Sequence, residues 1–311
     1  MAKILITESV HPIGPELLTA AGHTVVYADR DMDVIRREIV DADAVLVRII
    51  ELPGSLLATA KNLKIVSKHG VGYDNIDLDY CKNHGIAVTI TPNANSLSVA
   101  EHAFTLMLTL AKNIIPVSNE YREIGFAAKN HAPGIEMTGK TLGLIGMGRI
   151  GKHVLHMCRD GLDMHVIVYD PYISEVPEGV EKVDDLSELL RRADVVTLHC
   201  LLTDETRKLI DRERLALMKP TALLINCARG PIVDEAALIE ALESGRLAGA
   251  GLDVTDPEPV APDSPLFKLP NVIVTPHYAP TTVESATRVS KIAAENINAV
   301  LAGQEPVGRI V

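Results

Sequence analysis

The chain has 311 residues, of which 47% are hydrophobic and 23% are charged, and it contains no Trp. At about 100–200 residues per domain this length predicts roughly two globular domains, and the composition excludes disordered, collagen-like and membrane proteins. Forty-one acidic residues against 30 basic ones give a net charge of −11. Such a charge provides no basic surface for nucleic acid, so we expect no nucleic-acid partner.

The N-terminus and the cysteines indicate the compartment. The sequence runs from Met-Ala-Lys directly into a strand pattern without a signal-peptide profile, and no apolar run approaches the roughly 18–20 residues of a membrane span. We therefore expect a cytoplasmic protein without a membrane partner. The four cysteines form no Cys-x-x-Cys pair, which predicts neither a metal site nor a redox dithiol. They are expected to be small core residues: Cys81, Cys158, Cys200 and Cys227.

Short β-rich runs alternate with amphipathic segments of helical length, a pattern typical of βαβ units around a parallel sheet. A first series predicts five strands, at residues 3–7, 23–28, 44–48, 63–67 and 86–90. A second series predicts six strands, at residues 141–145, 165–169, 195–199, 222–226, 249–254 and 271–275. Six strands that begin with a glycine-rich turn are typical of a dinucleotide-binding Rossmann domain.

Three segments outside the strands bear on the domain organisation. Ser98-Val-Ala-Glu101 has the spacing of a capping box and is predicted to open a long apolar helix that links the two series. Residues 281–301 again have a helical pattern, and such a helix would return to the first domain. Residues 121–139 are the least regular stretch and are predicted to form a loop or an arm that packs on a partner subunit.

The fold class is therefore α/β, with two doubly wound parallel-sheet domains. We predict a Rossmann domain at residues 98–282, inserted into a discontinuous, flavodoxin-like domain at residues 1–97 and 283–311.

A Gly-x-Gly-x-x-Gly motif follows the first strand of the second series. Gly146 would allow the tight turn, Gly148 the close approach of a pyrophosphate, and Gly151 the packing of helix on strand. The backbone N–H groups that open the helix, at Arg149 and Ile150, would then hold the phosphates. Glycines also mark ordinary strand-to-helix turns, so the motif alone is a weak signal.

Asp170 strengthens the dinucleotide interpretation. It ends the next predicted strand, 19 residues after Gly151, where a carboxylate accepts hydrogen bonds from the ribose hydroxyls of NAD. The alternative is an ordinary turn-forming Asp. No Arg adjoins it, so a 2′-phosphate would meet uncompensated negative charge. The sequence favours NAD over NADP.

Reactive side chains follow the last predicted strands. Arg229 has the planar fork that matches a carboxylate, and His277 has a free pKa near 6.5, suited to the proton transfer that accompanies hydride transfer. A buried carboxylate such as Glu258 would hold the imidazolium. Each also has a structural alternative: a strand-end cap for His277, a solvated charge for Glu258 and a surface ion pair for Arg229.

Several motifs together resemble the D-isomer-specific 2-hydroxyacid dehydrogenases over nearly the whole chain. The motifs are Gly70-Val-Gly-Tyr-Asp-Asn-Ile-Asp77, Ser98-Val-Ala-Glu-His102, residues 139–151, residues 198–210, Asn226-Cys-Ala-Arg-Gly230 and residues 253–277. The resemblance implies that residues 98–282 bind NAD and that the other domain binds the substrate. It also implies a homodimer and, for a chain of this extent, no C-terminal regulatory domain.

The resemblance further implies a role for individual residues. Arg229, Glu258 and His277 would form the catalytic triad, in which Arg229 and His277 also contact the substrate. The backbone N–H groups around Val71 and Gly72 would also hold the substrate carboxylate. The remaining implied cofactor contacts are His199, Cys200, Ala228 and Asp253, the last at the nicotinamide carboxamide.

The sequence also departs from the family pattern. Leu201 replaces a common proline, the arm lacks a common Trp, and Tyr278-Ala279-Pro280 follows the histidine. Arg48 is followed by Ile49-Ile50 where phosphoglycerate dehydrogenases commonly have Arg-Ser. Ile49 and Tyr278 are expected to line the substrate pocket, whereas Arg48 and Lys68 could bind the substrate by meeting an anionic tail.

These observations predict an NAD-dependent oxidoreductase that interconverts a small D-2-hydroxy acid and its 2-keto acid, such as 3-phosphoglycerate or a glycerate/hydroxypyruvate-like substrate. Two alternatives stay open. One is an NAD-sensing interaction protein, like the transcriptional corepressors on this scaffold, and the other is a formate dehydrogenase. Function belongs to the site rather than the fold, so the fold does not decide between them.

Overall fold

The computed structural model describes residues 1–130 and 132–311 and divides the chain into two compact units. Unit 1 consists of Met1–Asn95 and Thr281–Val311, and unit 2 consists of Ser96–Pro280. Unit 2 is therefore inserted within the sequence of unit 1.

Unit 1 contains a five-stranded parallel sheet. Its strands are β1 (Lys3–Ile6), β2 (Thr24–Tyr27), β3 (Ala44–Val47), β4 (Ile65–Lys68) and β5 (Ala87–Thr89). Its helices are α1 (Ile13–Ala20), α2 (Met32–Glu38), α3 (Gly54–Leu57), α4 (Leu78–Asn83) and α11 (Val283–Leu301). The strand order β2-β1-β3-β4-β5 is the flavodoxin-like order, so the predicted fold class of this unit is confirmed.

Successive residues of a strand point to opposite faces of this sheet, and both faces are covered by helices. Ile4 and Ile6 pack in one cluster with Leu18 of α1, and Leu5 packs in the other with Ile35 of α2. All five side chains are fully buried. Burying an aliphatic side chain of this size contributes about 1.5–3 kcal/mol, so the alternation fixes the register of the strand.

Unit 2 contains a seven-stranded parallel sheet. Its strands are β6 (Thr141–Ile145), β7 (His165–Tyr169), β8 (Val180–Lys182), β9 (Val195–Leu198), β10 (Leu223–Asn226), β11 (Gly249–Leu252) and β12 (Val272–Val274). Its helices are α5 (Ser96–Ala111), α6 (Ile114–Ile124), α7 (Arg149–Leu162), α8 (Leu186–Arg192), α9 (Arg212–Leu217) and α10 (Glu235–Glu243).

The strand order in unit 2 is β12-β11-β10-β9-β6-β7-β8. The order reverses at β6, the strand that precedes the glycine motif, and this is the point where a doubly wound sheet opens a crevice at its carboxyl edge. Two buried clusters cover the two faces: one includes Leu144 with Val154 of α7, and the other includes Leu198 with Leu189 of α8. The predicted Rossmann arrangement is therefore confirmed.

Two details of the predicted elements are wrong. Strand β8 was not expected, because its three residues are all partly or fully exposed and carry no apolar alternation. Helix α5 begins at Ser96, so Ser98 lies inside the first turn, where it is buried, and is not the N-cap. The Ser-x-x-Glu spacing fits any register of a helical turn and does not by itself locate the first residue.

The predicted arm is more regular than expected. Residues 121–139 begin within α6, continue through a 3-10 helix at Gly125–Asn130, and include residue 131, which lies outside the described residues. None of the residues of α6 is buried. The exposed apolar side chains of α6 and this 3-10 helix include Ile114 (55%), Tyr121 (59%) and Phe126 (76%).

Three of the four cysteines are buried, as expected of core residues: Cys81, Cys158 and Cys227. Cys200 is half-buried. Burial raises the pKa of Cys81 and of Cys200 to about 11, so both thiols stay protonated at neutral pH. Among the residues described here, no helix combines the length and apolar character that a bilayer crossing requires.

Candidate active site

The carboxyl ends of the parallel strands in unit 2 meet at one edge of the sheet. Most of the predicted site residues lie in the loops at this edge. In spatial order from β12 to β7, the loops carry His277, Asp253, Arg229, His199, Gly146 and Asp170.

The turn between β6 and α7 depends on its glycines. Gly146 has a φ of +89°, and a Cβ there would lie 2.7 Å from the backbone nitrogen of Cys200. A Cβ on Gly151 would collide with the carbonyl oxygen of Gly146, whereas a Cβ on Gly148 would meet no atom of residues 1–130 and 132–311 within 4 Å. Gly146 and Gly151 therefore satisfy internal packing, and Gly148 leaves open space at the start of the helix.

The open space at Gly148 fits a pyrophosphate. Gly148 is the N-cap of the 14-residue helix α7 and makes no side-chain cap hydrogen bond. The first N–H groups of the helix, which include those of Arg149 and Ile150, have no carbonyl partner one turn earlier in the helix. An anion at a helix start receives these N–H groups and the positive end of the helix dipole.

Asp170 lies beside the glycine turn. Its Oδ2 accepts a hydrogen bond from the Met147 N–H at 2.9 Å, and its Oδ1 accepts one from the Tyr172 N–H at 3.0 Å. The Tyr172 hydroxyl donates to Glu205 at 3.1 Å, and this bond together with the charges of Glu205 and Asp170 raises the pKa of Tyr172. The surroundings of Asp170 are therefore negatively charged. They are suited to the hydroxyl groups of a ribose and disfavour a 2′-phosphate.

His199 and Cys200 close the other side of the same turn. The His199 ring bonds through Nε2 to the Thr197 hydroxyl at 2.8 Å, while its buried Nδ1 has no partner among the residues that the structure describes. Burial lowers the pKa of His199 to about 3, so the ring is neutral at physiological pH. A neutral ring next to the phosphate turn adds no charge of its own to the site.

The turn after β10 presents Arg229. The Asn226 side chain, which is 1% exposed, accepts the Ala228 N–H at 3.0 Å and donates to the Arg229 carbonyl at 2.9 Å. The Arg229 Nη1 donates to the Ala228 carbonyl at 2.8 Å. A Cβ on Gly230 would collide with the Thr255 carbonyl, so this turn packs closely on the loop that leads to Glu258.

His277 and Glu258 form the closest acid–base pair at this edge. His277 Nδ1 lies 2.7 Å from Glu258 Oε1. Because the carboxylate only accepts, Nδ1 is the donor and Nε2 is the ring nitrogen left for proton exchange. The two side chains are 33% and 39% exposed, so the expectation of a buried Glu258 is wrong. Glu258 lies in a loop beyond the sheet edge, where solvent reaches it.

The backbone of His277 is held in an uncommon conformation. Its φ is +52°, a left-handed value that costs a non-glycine residue about 1–3 kcal/mol and persists only where surrounding contacts impose it. Its N–H bonds to the Asp253 carbonyl at 2.8 Å, and the next two N–H groups bond to the Asp253 carboxylate, Tyr278 to Oδ1 at 2.7 Å and Ala279 to Oδ2 at 2.9 Å. Asp253 thus imposes the conformation.

Two further side chains complete this network. The Thr275 hydroxyl donates to Asp253 Oδ1 at 2.6 Å, and it therefore accepts from His102 Nε2 at 3.0 Å. The His102 ring also contacts the Tyr278 ring edge-on, with centroids 6.2 Å apart. Asp253 is 1% exposed and accepts three hydrogen bonds through its carboxylate. Its acceptor capacity is largely committed to the protein itself.

The other predicted site residues belong to unit 1. Arg48 follows β3, and Val71 and Gly72 lie in the loop after β4, all three half-exposed. Lys68 is not available to an anionic tail: it is 8% exposed and its amino group bonds to the Arg48 carbonyl and to the Asn75 side chain. Its position at the end of a buried strand turns the side chain inward.

Sequence reasoning missed four side chains that organise these loops. They are Glu8, His102, Asn226 and Thr275, and each ends a strand or faces one that does. The available signal was a polar residue at the carboxyl end of a predicted strand, which marks Glu8, Asn226 and Thr275. His102 ends one of the family motifs, but no local signal gave it a role, because it lies within a helix and its partner is 173 residues away.

Comparison with known proteins supports the resemblance. The family profile described as "D-isomer specific 2-hydroxyacid dehydrogenase, NAD binding domain" matches residues 104–279. A D-3-phosphoglycerate dehydrogenase of Methanocaldococcus jannaschii is 43% identical over 308 residues, which cover 98% of this chain and 58% of that protein. This chain thus spans little more than half the length of that relative.

Two further comparisons cover nearly the whole length of both proteins. A glyoxylate reductase of Thermofilum pendens is 38% identical over 98% of this chain and 93% of its own. The crystal structure of an NADPH-dependent glyoxylate/hydroxypyruvate reductase of Sinorhizobium meliloti, in complex with NADP and malonate, is 28% identical with a TM-score of 0.90, covering 100% of this chain and 97% of that one. The chain therefore belongs to the family of D-isomer-specific 2-hydroxyacid dehydrogenases and contains the NAD-binding domain of that family.

Proposed function

We propose that the chain is an NAD-dependent oxidoreductase that interconverts a small D-2-hydroxy acid and its 2-keto acid. The observation that carries the proposal is the 2.7 Å pair of His277 and Glu258 on the sheet edge that also holds the glycine turn. That edge combines a proton donor, a carboxylate-binding guanidinium and a dinucleotide cradle, the three components that reversible reduction of a keto acid requires.

The side chains take distinct parts in the reaction. The turn formed by Gly146, Gly148 and Gly151 would hold NADH, whose chemistry when bound would be to supply a hydride to the keto carbon. His277 Nε2 donates a proton to the keto oxygen, which becomes the hydroxyl group, and Glu258 stabilises the imidazolium through Nδ1. Arg229 binds the substrate carboxylate through its planar fork. In the oxidation direction His277 takes the proton back.

Cofactor binding is assigned to the glycine turn and its neighbours. The N–H groups of Arg149, Ile150 and Gly151 would hold the pyrophosphate in the space that Gly148 leaves open, and Asp170 would accept the ribose hydroxyls. The other assigned contacts are Gly146, His199, Cys200, Ala228 and Asp253. In unit 1, we assign Arg48 and the backbone of Val71 and Gly72 to the substrate.

The relatives narrow the substrate class. Names among them refer to phosphoglycerate and glyoxylate, and a structural neighbour is named for glyoxylate and hydroxypyruvate. These names support a small 2-hydroxy or 2-keto acid, with 3-phosphoglycerate or glycerate/hydroxypyruvate as the leading candidates. They also favour an enzyme over the corepressor-like alternative. A cytoplasmic location stays a prediction from the sequence.

We also propose that a second copy of the chain covers the exposed apolar residues of α6. A helix with no buried residue but exposed Ile114, Tyr121 and Ile124 is unusual for a monomer. We expect sedimentation equilibrium to give twice the chain mass, and Tyr121→Arg combined with Ile124→Arg to give one chain mass. A wild-type monomer at micromolar concentration would contradict the homodimer.

The reaction and the role of His277 are tested together. We expect NADH oxidation at 340 nm with one member of a panel of hydroxypyruvate, glyoxylate, pyruvate, phosphohydroxypyruvate, 3-sulfopyruvate and a branched-chain keto acid.

His277→Ala should lower kcat by about 10²–10⁴, because the proton donor is lost. NADH fluorescence, measured in a protein without Trp, should show an unchanged Kd. A variant that loses both folding and NADH binding would instead mark a structural histidine.

Cofactor choice tests Asp170. A 2′-phosphate near Asp170 and Glu205 would meet like charge, at a cost of several kcal/mol, so kcat/KM with NADPH should be at least about 100-fold below that with NADH. Asp170→Asn should reduce the difference between kcat/KM with NADH and kcat/KM with NADPH. Equal kcat/KM values of the wild type with the two cofactors would contradict the assignment of Asp170 to the ribose hydroxyls.

Asp253→Asn separates two roles for that residue. If Asp253 mainly imposes the His277 conformation, kcat should fall by about 10- to 100-fold while the Kd for NADH changes little, because the amide group cannot accept the Ala279 N–H. If Asp253 mainly receives the nicotinamide carboxamide, the Kd for NADH should rise instead. Asp185→Asn, which removes the exposed carboxylate that caps α8, is the matched control.

A further inference from the structure

The segment of residues 48–50, here called the 48–50 loop, follows β3 and is held along both of its edges by side chains of unit 1. Two of its N–H groups bond to one carboxylate, that of Glu8. Two of its carbonyl groups bond to the side chains of Lys68 and Asn75. The loop carries Arg48, which the proposed function assigns to the substrate.

Glu8 lies two residues after β1 and is 1% exposed. Its Oε2 accepts the Arg48 N–H at 2.7 Å and the Thr7 hydroxyl at 2.8 Å, and its Oε1 accepts the Ile49 N–H at 2.9 Å. A carboxylate is retained in the interior only where hydrogen bonds replace its water shell. Bonds from N–H groups to a charged acceptor are about twice as strong as neutral ones. The Glu8 side chain thus joins β1 and β3 at their carboxyl ends.

The opposite edge of the loop has the opposite chemistry. The Lys68 amino group donates to the Arg48 carbonyl and to Asn75 Oδ1, the latter at 2.5 Å. Asn75 Nδ2 donates to the Ile50 carbonyl at 2.6 Å. An anion therefore faces the N–H groups of the loop, and a cation with an amide faces its carbonyl groups. This charge arrangement matches the polarity of the peptide groups and leaves the loop one favourable position.

Side chains of the held loop point outward from it. Ile49 is 51% exposed, and the Arg48 guanidinium donates from Nη1 to the Ser9 carbonyl at 2.9 Å, next to Glu8 in the chain. The direction of the Arg48 side chain thus also depends on the backbone that follows β1. A loop fixed before binding loses little conformational freedom when it meets a ligand.

We propose that Glu8 is a positioning residue for substrate recognition, which fixes the 48–50 loop so that Arg48 and Ile49 are in place before the acid binds. This inference rests on the proposed function, and on the assignment of Arg48 to the substrate. Glu8 does not touch the reacting atoms. It acts through two backbone N–H groups, and its loss should therefore weaken substrate binding more than the chemical step.

Glu8→Gln is the principal test, because glutamine keeps the shape but presents an NH₂ group to one of the two backbone N–H groups. We expect the KM for the preferred 2-keto acid to rise by about 10- to 100-fold, the effect of roughly an ångström of displacement, with kcat and the Kd for NADH changed by less than about threefold. Hydrogen exchange, followed by mass spectrometry, should be faster in the peptide that contains residues 44–52.

Asp31→Ala is the matched control in the same unit, because it removes an N-cap acceptor. Asp31 also accepts two backbone N–H groups through its carboxylate, those of Asp33 and Val34 at 2.9 and 3.2 Å, but it caps α2 rather than the 48–50 loop. This variant should lower Tm without raising KM. An equal rise of KM in both variants would show general destabilisation and overturn the proposal.

Asn75→Asp tests the other edge of the loop and replaces Glu8→Gln if that variant fails to fold. It removes the amide donor to the Ile50 carbonyl and leaves the Lys68 donor to the Arg48 carbonyl in place, so KM should again rise while kcat is kept. An active wild type with unchanged KM in the variants would refute the role of Glu8. A wild type inactive on every acid would instead refute the proposed function, and the exchange measurement would still report whether Glu8 holds the loop.

Discussion

The parallel direction of the strands in each sheet brings all of their carboxyl ends to one edge, and the candidate site follows from this constraint. Both faces of each sheet are buried under helices, so the edge where the strands end is where loops can present polar side chains to a ligand. In unit 2 the strand order reverses at β6, and this reversal places the glycine turn between Asp170 on one side and His199 on the other. Residues distant in sequence thereby share one surface.

Buried carboxylates then fix the loops at these edges. Asp253 bonds to the backbone around His277, and Glu8 bonds to the backbone that carries Arg48. In both cases one anion accepts consecutive N–H groups of a loop contributed by another strand. The side chain on that loop is thereby oriented without a bond of its own to the anion. Such bonding favours a site that is arranged before ligands bind, which is where electrostatic stabilisation is most effective.

The sequence-based errors have a common physical origin. Glu258 was expected to be buried and is partly exposed, Lys68 was expected to face an anion and is directed inward, and Ser98 was expected to cap α5 and lies within it. Residue type and local spacing describe what a side chain can do. They do not describe which partner it meets, because exposure and direction depend on loops brought in from other parts of the chain.

Local pattern by itself determined the parallel α/β class, the strand positions apart from β8, the glycine turn and the identity of the family. Each of these depends on hydrophobic periodicity or on residues within a few positions of one another. Tertiary structure decided which polar groups are committed within the protein and which remain open to ligands. Glu8 meets Arg48 across 40 residues, and His102 meets Thr275 across 173. Hydrogen bonds of that span form only once the sheet is assembled, and no local pattern encodes them.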